Sequence, residues 1–340
     1  MVTGRRVQLV LGIALSVACL ILIFAFVDPA ELVESVRSAH YGYLALSAVG
    51  FAAFLVVRAV RWRFMLKNAV SYRQVFHIQN IGYLLTFILP FRLGDVARAV
   101  LIGNVPPITL PQGLSTMVVE RVLDLLLIVT LLPFTLAQAS RLPASVQTGA
   151  RISGVVALVG IGVLVVAANQ RPRARRLFGA ILDRVPLLET AVWVRRADQL
   201  LEGLSSLTRL RDGLLLAALS IVVWIPVIFA YYMGMLAVHL EATPVMAAFV
   251  VCVAALTITV PSAPGYWGVI QAGITFALVE VLSQPAGPSA SFAFIYHATN
   301  FAVVIVLGLA GIYGIGATLS NVVASTRALA QRQQQDTPPL

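Results

Sequence analysis

The chain has 340 residues, of which 59% are hydrophobic and 11% are charged, against about 25% charged in an ordinary soluble domain. One or two water-soluble cores could not bury that much apolar surface, so the composition excludes a soluble globular protein. The net charge of +10 does not indicate a nucleic-acid partner, because the basic residues lie in short blocks between apolar runs. An all-α polytopic membrane protein is therefore predicted.

Six apolar stretches are long enough to cross a hydrocarbon core of about 30 Å as helices. They are 7–27, 41–60, 115–138, 152–168, 213–238 and 290–318. The first has no small-residue cleavage site and is predicted to be an uncleaved span rather than a signal peptide. Residues 1–325 are predicted to form one integral membrane domain.

Two further apolar runs are interrupted by proline. The run 74–103 is broken at Pro90, and the run 243–282 is broken at Pro261 and Pro264. Each is predicted to be a re-entrant hairpin, since irregular backbone at membrane depth survives only where protein or a water-filled cavity satisfies its polar groups. The alternative is a pair of proline-kinked packed helices, because proline is common in membrane helices.

The basic blocks predict the orientation of the spans. No Lys or Arg lies between Arg211 and Arg327, whereas the loops predicted to be cytoplasmic are rich in arginine. This places both termini in the cytoplasm, the loop 28–40 outside, and the two hairpins open toward opposite sides. Six full spans with two broken hairpins in an inverted repeat are therefore predicted.

Two polar segments complete the predicted organisation. Residues 171–212 mix leucine and arginine in a pattern typical of an amphipathic helix on the anionic cytoplasmic leaflet. Residues 326–340 are predicted to be a polar, disordered cytoplasmic tail.

Charged residues near the first break are candidates for binding an anionic lipid head group. Arg92 follows Pro90 where a cation is costly without a partner, and Asp95 and Arg98 follow at a spacing that allows them to pair with each other. A guanidinium suits phosphate or carboxylate. The alternative is a structural ion pair that locks the hairpin.

Neighbouring spans carry further candidates. Glu120 and Asp124 share one helix face and could balance the arginines or carry a proton, or simply begin a helix at the interface. Arg58 and Arg61 flank Trp62 at the end of the second span. This pattern favours interfacial anchors, and the alternative is recruitment of an anionic head group.

The second break is uncharged. Its flexible backbone could present amides or carbonyls to a substrate; the candidates are Pro264, Gly265, Tyr266, Gly268 and Gln271. His297 and Asn300 share a face of the last span, a pattern more typical of an interhelical hydrogen bond than of a ligand site.

Motifs for cofactors are missing from the sequence. There is no phosphate-binding GxxxxGK[ST] loop and no metal-spaced His/Cys cluster, and Cys19 and Cys252 lie in apolar runs. No cofactor, metal site or catalytic residue is therefore predicted.

Five segments resemble the lysylphosphatidylglycerol synthase transmembrane, or flippase-like, family. They are RWRFML (61–66), NIGYLL (80–85), LPFRLGDVARA (89–99), VVERVLDLLL (118–127) and PSAPGYWGVIQ (261–271). The resemblance covers roughly 10–320 and adds Asn80 and Tyr83 to the candidate site residues. Asp95 stands where the family commonly has Glu. No segment resembles the cytoplasmic synthase domain, so no aminoacyl transfer is expected.

The resemblance implies translocation of an anionic or aminoacylated lipid head group across the cytoplasmic membrane. The expected partners are membrane lipids, with a lipid-modifying enzyme or glycosyltransferase as a further partner. The alternatives are a membrane-embedded lipid-linked glycosyltransferase and a non-catalytic accessory protein for one.

Overall fold

The computed structural model describes residues 2–26, 28–89, 93–136, 148–149, 151–156, 159, 210–260 and 262–316. Its helices are α1 (Val2–Phe26), α2 (Pro29–Arg37), α3 (Tyr41–Met65), α4 (Tyr72–Ile88), α5 (Leu93–Gly103), α6 (Leu110–Leu136), α7 (Leu210–Ala237), α8 (Pro244–Thr257), α9 (Val269–Phe276) and α10 (Ala286–Gly314). A 3-10 turn, Pro264–Tyr266, precedes α9, and a π-helical turn, Ala277–Val281, follows it. No strand occurs in these ranges, so the all-α class is confirmed.

Three helices in the described ranges are long and apolar enough to span a membrane: Tyr41–Met65, Arg211–Ala237 and Ala286–Gly314. A fourth span is possible if Ile13–Ala25 and Pro29–Arg37, bent by 84°, act together. The predicted span 115–138 is helical in α6 but carries three charged residues within five positions. Most of the predicted span 152–168, the segment 171–209 and the tail 326–340 lie outside the described residues.

The loop predicted at 28–40 contains a helix instead. Asp28 caps α2 by accepting a hydrogen bond from the Ala30 amide at 2.8 Å, and Pro29 stands at the first helical position. Both features favour a helix start, because a carboxylate satisfies a free amide and proline has no amide to satisfy. This short element follows from local capping rather than from apolar periodicity.

The first broken run forms an antiparallel helical hairpin. α4 ends at Ile88 and α5 begins at Leu93, on either side of the break. The two helices approach at Gly82 and Gly94, where a Cβ on Gly94 would collide with the Gly82 carbonyl oxygen and with Thr86. Residues 90–92, including Pro90 and Arg92, lie outside the described residues.

The second broken run has a related arrangement. α8 ends at Thr257, and the chain passes through the 3-10 turn before returning in α9. A Cβ on Gly273 of α9 would collide with the Thr257 side chain, so the two limbs also pack against each other at a glycine. Gly265 and Gly268 have φ of 73° and 85°, a left-handed conformation that glycine adopts without strain. Pro261 lies outside the described residues.

Helices α3 and α7 pack side by side in opposite directions. The His40 amide at the start of α3 donates to the Ala237 carbonyl at the end of α7, at 2.8 Å. Farther along, the Ser47 hydroxyl donates to the Ala230 carbonyl at 2.8 Å, and Gly50 permits contact with the Pro226 carbonyl. This antiparallel pair places the polar end of α3 beside the first hairpin.

Candidate functional site

The last turns of α3 place two arginine side chains inside the protein. Arg58 and Arg61 are 5% and 0% exposed, and Trp62 is fully buried. The Trp62 indole N–H donates to the Thr116 hydroxyl at 3.0 Å. These residues are therefore enclosed by other helices, whereas an interfacial anchor is expected to turn its polar end to the membrane surface.

Helix α6 supplies the carboxylates that face these arginines. Arg58 Nη2 donates to Glu120 Oε1 at 2.5 Å and to Asp124 Oδ2 at 2.7 Å, and Arg61 Nη2 donates to Asp124 Oδ1 at 2.8 Å. Glu120 and Asp124 are one helical turn apart, so a single face of α6 bridges both arginines of α3.

Helix α5 completes the group with Arg98. Its Nη1 and Nη2 donate to Glu120 Oε1 and Oε2 at 3.2 and 3.1 Å, and its guanidinium carbon lies 4.4 Å from the centroid of the Trp62 ring. The Arg98 side chain has room because residue 82 is glycine, and a Cβ at that position would overlap Arg98 Cγ. We call Arg58, Arg61, Arg98, Glu120 and Asp124 the deep cluster.

A second ion pair, which we call the rim pair, joins Asp95 of α5 to Arg121 of α6. Arg121 Nη2 donates to the two Asp95 oxygens at 3.0 and 3.1 Å, and the side chains of Arg121 and Asp95 are 38% and 25% exposed. The predicted pairing of Asp95 with Arg98 within α5 is replaced by pairing of each residue with α6. The most strongly predicted site residue, Arg92, lies outside the described residues.

The deep cluster has more positive than negative groups. It holds three guanidinium groups and two carboxylates, and the rim pair is balanced. Nε and Nη1 of Arg61 and Nε of both Arg58 and Arg98 are buried without an acceptor among the described residues. Buried N–H groups are normally hydrogen-bonded. These N–H groups are therefore open to a further oxygen acceptor, such as water or an anion.

Asn80 and Tyr83 of α4 lie beside the cluster. The Tyr83 ring is 6.0 Å from the Arg58 guanidinium and 5.6 Å from that of Arg98. Asn80 is fully buried and donates to the Phe76 carbonyl of its own helix at 2.8 Å. Of these two predicted residues, Tyr83 contacts the charges directly.

The predicted residues of the second break form a separate group. Gln271 accepts from the Gly268 amide at 2.7 Å, and its Nε2 lies 2.8 Å from His297 Nδ1. The Trp267 ring stacks on His297 with centroids 4.5 Å apart. Gln271 and His297 thus join α9 to α10 by an interhelical hydrogen bond. Asn300 lies one turn farther along α10 and is 9% exposed.

The two breaks meet at Phe87, a residue that sequence reasoning did not select. Its ring packs edge-on to Tyr266, with centroids 6.4 Å apart, and lies 5.8 Å from His297. A Cβ built on Gly265 would lie 3.4 Å from the Phe87 carbonyl oxygen. Trp62 was likewise treated as an anchor, because an apolar aromatic residue gives no sequence signal of contact with buried charges.

The acidic, histidine and cysteine side chains do not form a metal site in the described part of the chain. Within the described ranges, no group of three or more His, Cys, Asp or Glu side chains is arranged to hold a metal ion. The carboxylates of the deep cluster are already bonded to arginine.

These features define a class of helical membrane protein in which two helix breaks contact each other and an ion cluster is buried. The family model of the lysylphosphatidylglycerol synthase TM region matches residues 9–308, so the chain belongs to this family.

Two curated proteins are similar to the chain. A protein named glycosyltransferase AglD from Haloferax volcanii is 25% identical over 373 aligned positions, covering 97% of this chain and 58% of that protein. The chain therefore spans less than two thirds of this relative. A UPF0104 membrane protein from Methanothermobacter thermautotrophicus is 24% identical, covering 87% of this chain and 90% of that protein. No solved structure matches the chain.

Proposed function

We propose that this membrane protein translocates the anionic or aminoacylated head group of a lipid across the cytoplasmic membrane, with both termini in the cytoplasm. The observation that carries the proposal is the deep cluster, whose arginines outnumber its carboxylates and retain buried N–H groups that have no acceptor within the described ranges. Buried charges within membrane helices are costly, and they are typical of substrate paths.

A polar path also explains why the helices are broken. A head group that crosses bare hydrocarbon loses its hydrogen bonds, at several kcal/mol for each unsatisfied polar group. The two breaks contact each other through Phe87, Tyr266 and His297. The first break is therefore adjacent to the polar side chains of the second.

The proposal includes an inverted repeat, in which α3 to α6 correspond to α7 to α10. Three observations support it. First, the corresponding helices α3 and α7 are antiparallel. Second, α4 of one unit packs on α10 of the other, and their counterparts α8 and α6 pack on each other in the same way. Third, a threonine precedes the proline of each break, with three residues between them. Thr86 and Thr257 each donate to the carbonyl four residues earlier, at 2.9 and 2.8 Å. Repeats of opposite orientation are typical of transporters that alternate access around a central site.

The test is a reconstituted-liposome assay with fluorescent anionic, zwitterionic and aminoacylated lipids. Wild-type protein is expected to move some head groups and not others. Arg92→Ala is expected to abolish this movement while folded protein remains in the membrane, and Arg73→Ala, at an exposed arginine of α4, serves as the matched control. Equal movement by wild type and Arg92→Ala would refute the role of Arg92, and no movement of any lipid by folded wild type would refute translocation.

The similarity to a protein named as a glycosyltransferase favours a second candidate, namely a lipid-linked glycosyltransferase or an accessory protein for one. Such an enzyme needs positioned acids. The acids predicted outside the membrane are Asp28, Glu31, Glu34, Glu241 and Glu280. Asp28 is engaged as a helix cap. Glycosyl transfer by purified protein that is lost on substitution of one of these acids would support the enzyme. A stably co-purifying glycosyltransferase, with function surviving Arg92→Ala, would support the accessory role.

A further inference from the structure

Helix α1 packs on one side of the second break. The Ser16 hydroxyl accepts a hydrogen bond from the Ala263 amide at 2.9 Å, and Ser16 is 3% exposed. A Cβ on Gly268 would overlap the Ser16 carbonyl oxygen, so the backbone of α1 lies directly against the break. Irregular backbone in a membrane needs acceptors from the protein, because lipid tails offer none. Ser16 therefore supplies the acceptor for an amide of the break.

Ala263 connects this contact to the junction between the two breaks. Its carbonyl accepts from the Tyr266 amide at 3.0 Å and closes a turn. That turn holds Tyr266 and Gly265 against Phe87 of the first break. The hydrogen bond from Ala263 to Ser16 therefore supports the turn that brings the breaks together, and Ser16 acts on the junction through Ala263.

Helix α1 is attached to the protein by few buried groups. Among its described side chains only Ser16 and Ile23 are buried, and Ile21 on the outer face is 65% exposed. Near its end, Phe24 stacks on Phe294 of α10 with ring centroids 5.8 Å apart. Elements with few buried contacts separate from a fold at the lowest free-energy cost. Helix α1 can therefore move while the helices inside the protein stay packed.

We propose that α1 is a displaceable cover of the second break and that Ser16 is the positioning residue that holds it closed. Displacement of α1 opens the break sideways to the bilayer. The use of this opening rests on the proposed function, because a head group that enters the protein from the membrane leaves its acyl chains in the bilayer and needs a lateral entrance. The inference adds an entry route at a helix outside both hairpins.

The first test measures hydrogen–deuterium exchange of residues 263–266 in the full chain, in nanodiscs of phosphatidylethanolamine and phosphatidylglycerol. Ser16→Ala is expected to speed this exchange by about fivefold to thirtyfold, because the closed state loses a buried hydrogen bond. Ser16→Thr keeps a hydroxyl acceptor, so its exchange should stay near the wild-type rate. Unchanged exchange in folded Ser16→Ala would overturn the role of Ser16.

Ser220→Ala is the matched control. Ser220 is also a buried serine, 4% exposed, but its hydroxyl donates to the Leu216 carbonyl of its own helix α7 at 2.8 Å. The same chemical change there removes no contact between α1 and the break. Exchange of residues 263–266 that rises equally in Ser220→Ala and Ser16→Ala would overturn the assignment to Ser16.

The second test asks whether α1 itself moves, since loss of one bond can expose the Ala263 amide without displacing the helix. Phe24→Cys and Phe294→Cys are combined in a chain whose native cysteines, Cys19 and Cys252, are replaced by alanine. A short bifunctional thiosulfonate joins the new thiols through reducible disulfides. The locked protein is expected to exchange residues 263–266 at least about fivefold more slowly than after reduction. Equal exchange before and after reduction would overturn displacement of α1.

The same lock in liposomes separates this inference from the proposed function. Lipid movement that stops in the locked protein and returns on reduction would support entry beneath α1. Undiminished movement in locked protein whose exchange is slowed would overturn that entry route. If wild type moves no lipid, translocation is refuted, while the exchange of locked and reduced protein still decides whether α1 is a displaceable cover. The lock retains Ser16, so this decision stands even if Ser16→Ala does not fold.

Discussion

Glu120→Gln is the substitution that most directly tests whether the deep cluster is a buried, interdependent unit. Glu120 is 1% exposed and accepts hydrogen bonds from Arg58 Nη2, Arg98 Nη1 and Arg98 Nη2 at 2.5, 3.2 and 3.1 Å. Glutamine keeps the shape, removes the charge and turns an N–H group toward the guanidinium groups. Because removing one partner of a buried pair costs about 3–5 kcal/mol, we expect a loss of unfolding free energy in that range.

The assay is equilibrium unfolding of purified protein in detergent, followed by tryptophan fluorescence. Glu34→Gln makes the same chemical change on the exposed helix α2, and it is expected to alter the unfolding free energy by no more than about 0.5 kcal/mol. The double variant Glu120→Gln/Arg98→Gln is expected to lose less than the sum of its single variants, since the pair is coupled. A loss below about 1 kcal/mol for Glu120→Gln, or strictly additive losses, would refute a buried interdependent cluster.

Three further expectations follow from the packing. Gly94→Ala should lower the unfolding free energy by about 1–3 kcal/mol, because the new Cβ would meet backbone atoms that cannot move aside. The control Gly42→Ala should not lower it, because no atom lies within 4 Å of a Cβ at that position. Gln271→Leu should cost about 1–3 kcal/mol in thermal unfolding, because it leaves the Gly268 amide and the His297 ring without their partner; an unchanged midpoint would contradict this role. Raising salt from 0.05 to 0.5 M (roughly a threefold shorter Debye length) should hardly alter the unfolding free energy, since buried pairs are poorly screened; a marked loss would place the cluster in water.

The membrane class and the hairpin breaks could be predicted from sequence because each depends on local chemistry. Proline lacks an amide and clashes with the preceding turn, which favours the helix ends at Ile88 and Thr257, shortly before Pro90 and Pro261. Proline alone does not decide a break, because Pro133 and Pro226 lie inside α6 and α7. The helix at Pro29–Arg37 was also encoded locally, by the Asp28 cap and Pro29, but it is polar and gave no apolar periodicity to detect.

The charged residues of the deep cluster are among those selected from sequence, but their pairing could not be predicted. Arg58, Arg61, Arg98, Glu120 and Asp124 were all selected, yet Arg58 and Arg61 were interpreted as anchors and Arg98 as a partner of Asp95. Side chains within one helix can be paired from their spacing. The observed pairs join α3 to α6 and α5 to α6, and no spacing rule relates residues 58 and 120. The close approach at Gly82 that admits Arg98 was equally inaccessible from sequence.

The sequence by itself determined which segments are apolar, where helices break and which residues carry charge, because these are properties of single residues and of their near neighbours. Only the tertiary structure decided which charges meet, which arginine donors have no acceptor among the described residues, and that Phe87 joins the two breaks. The physical reason is that a buried ion cluster depends on distances of a few ångströms between helices, which the packing of α3, α5 and α6 sets.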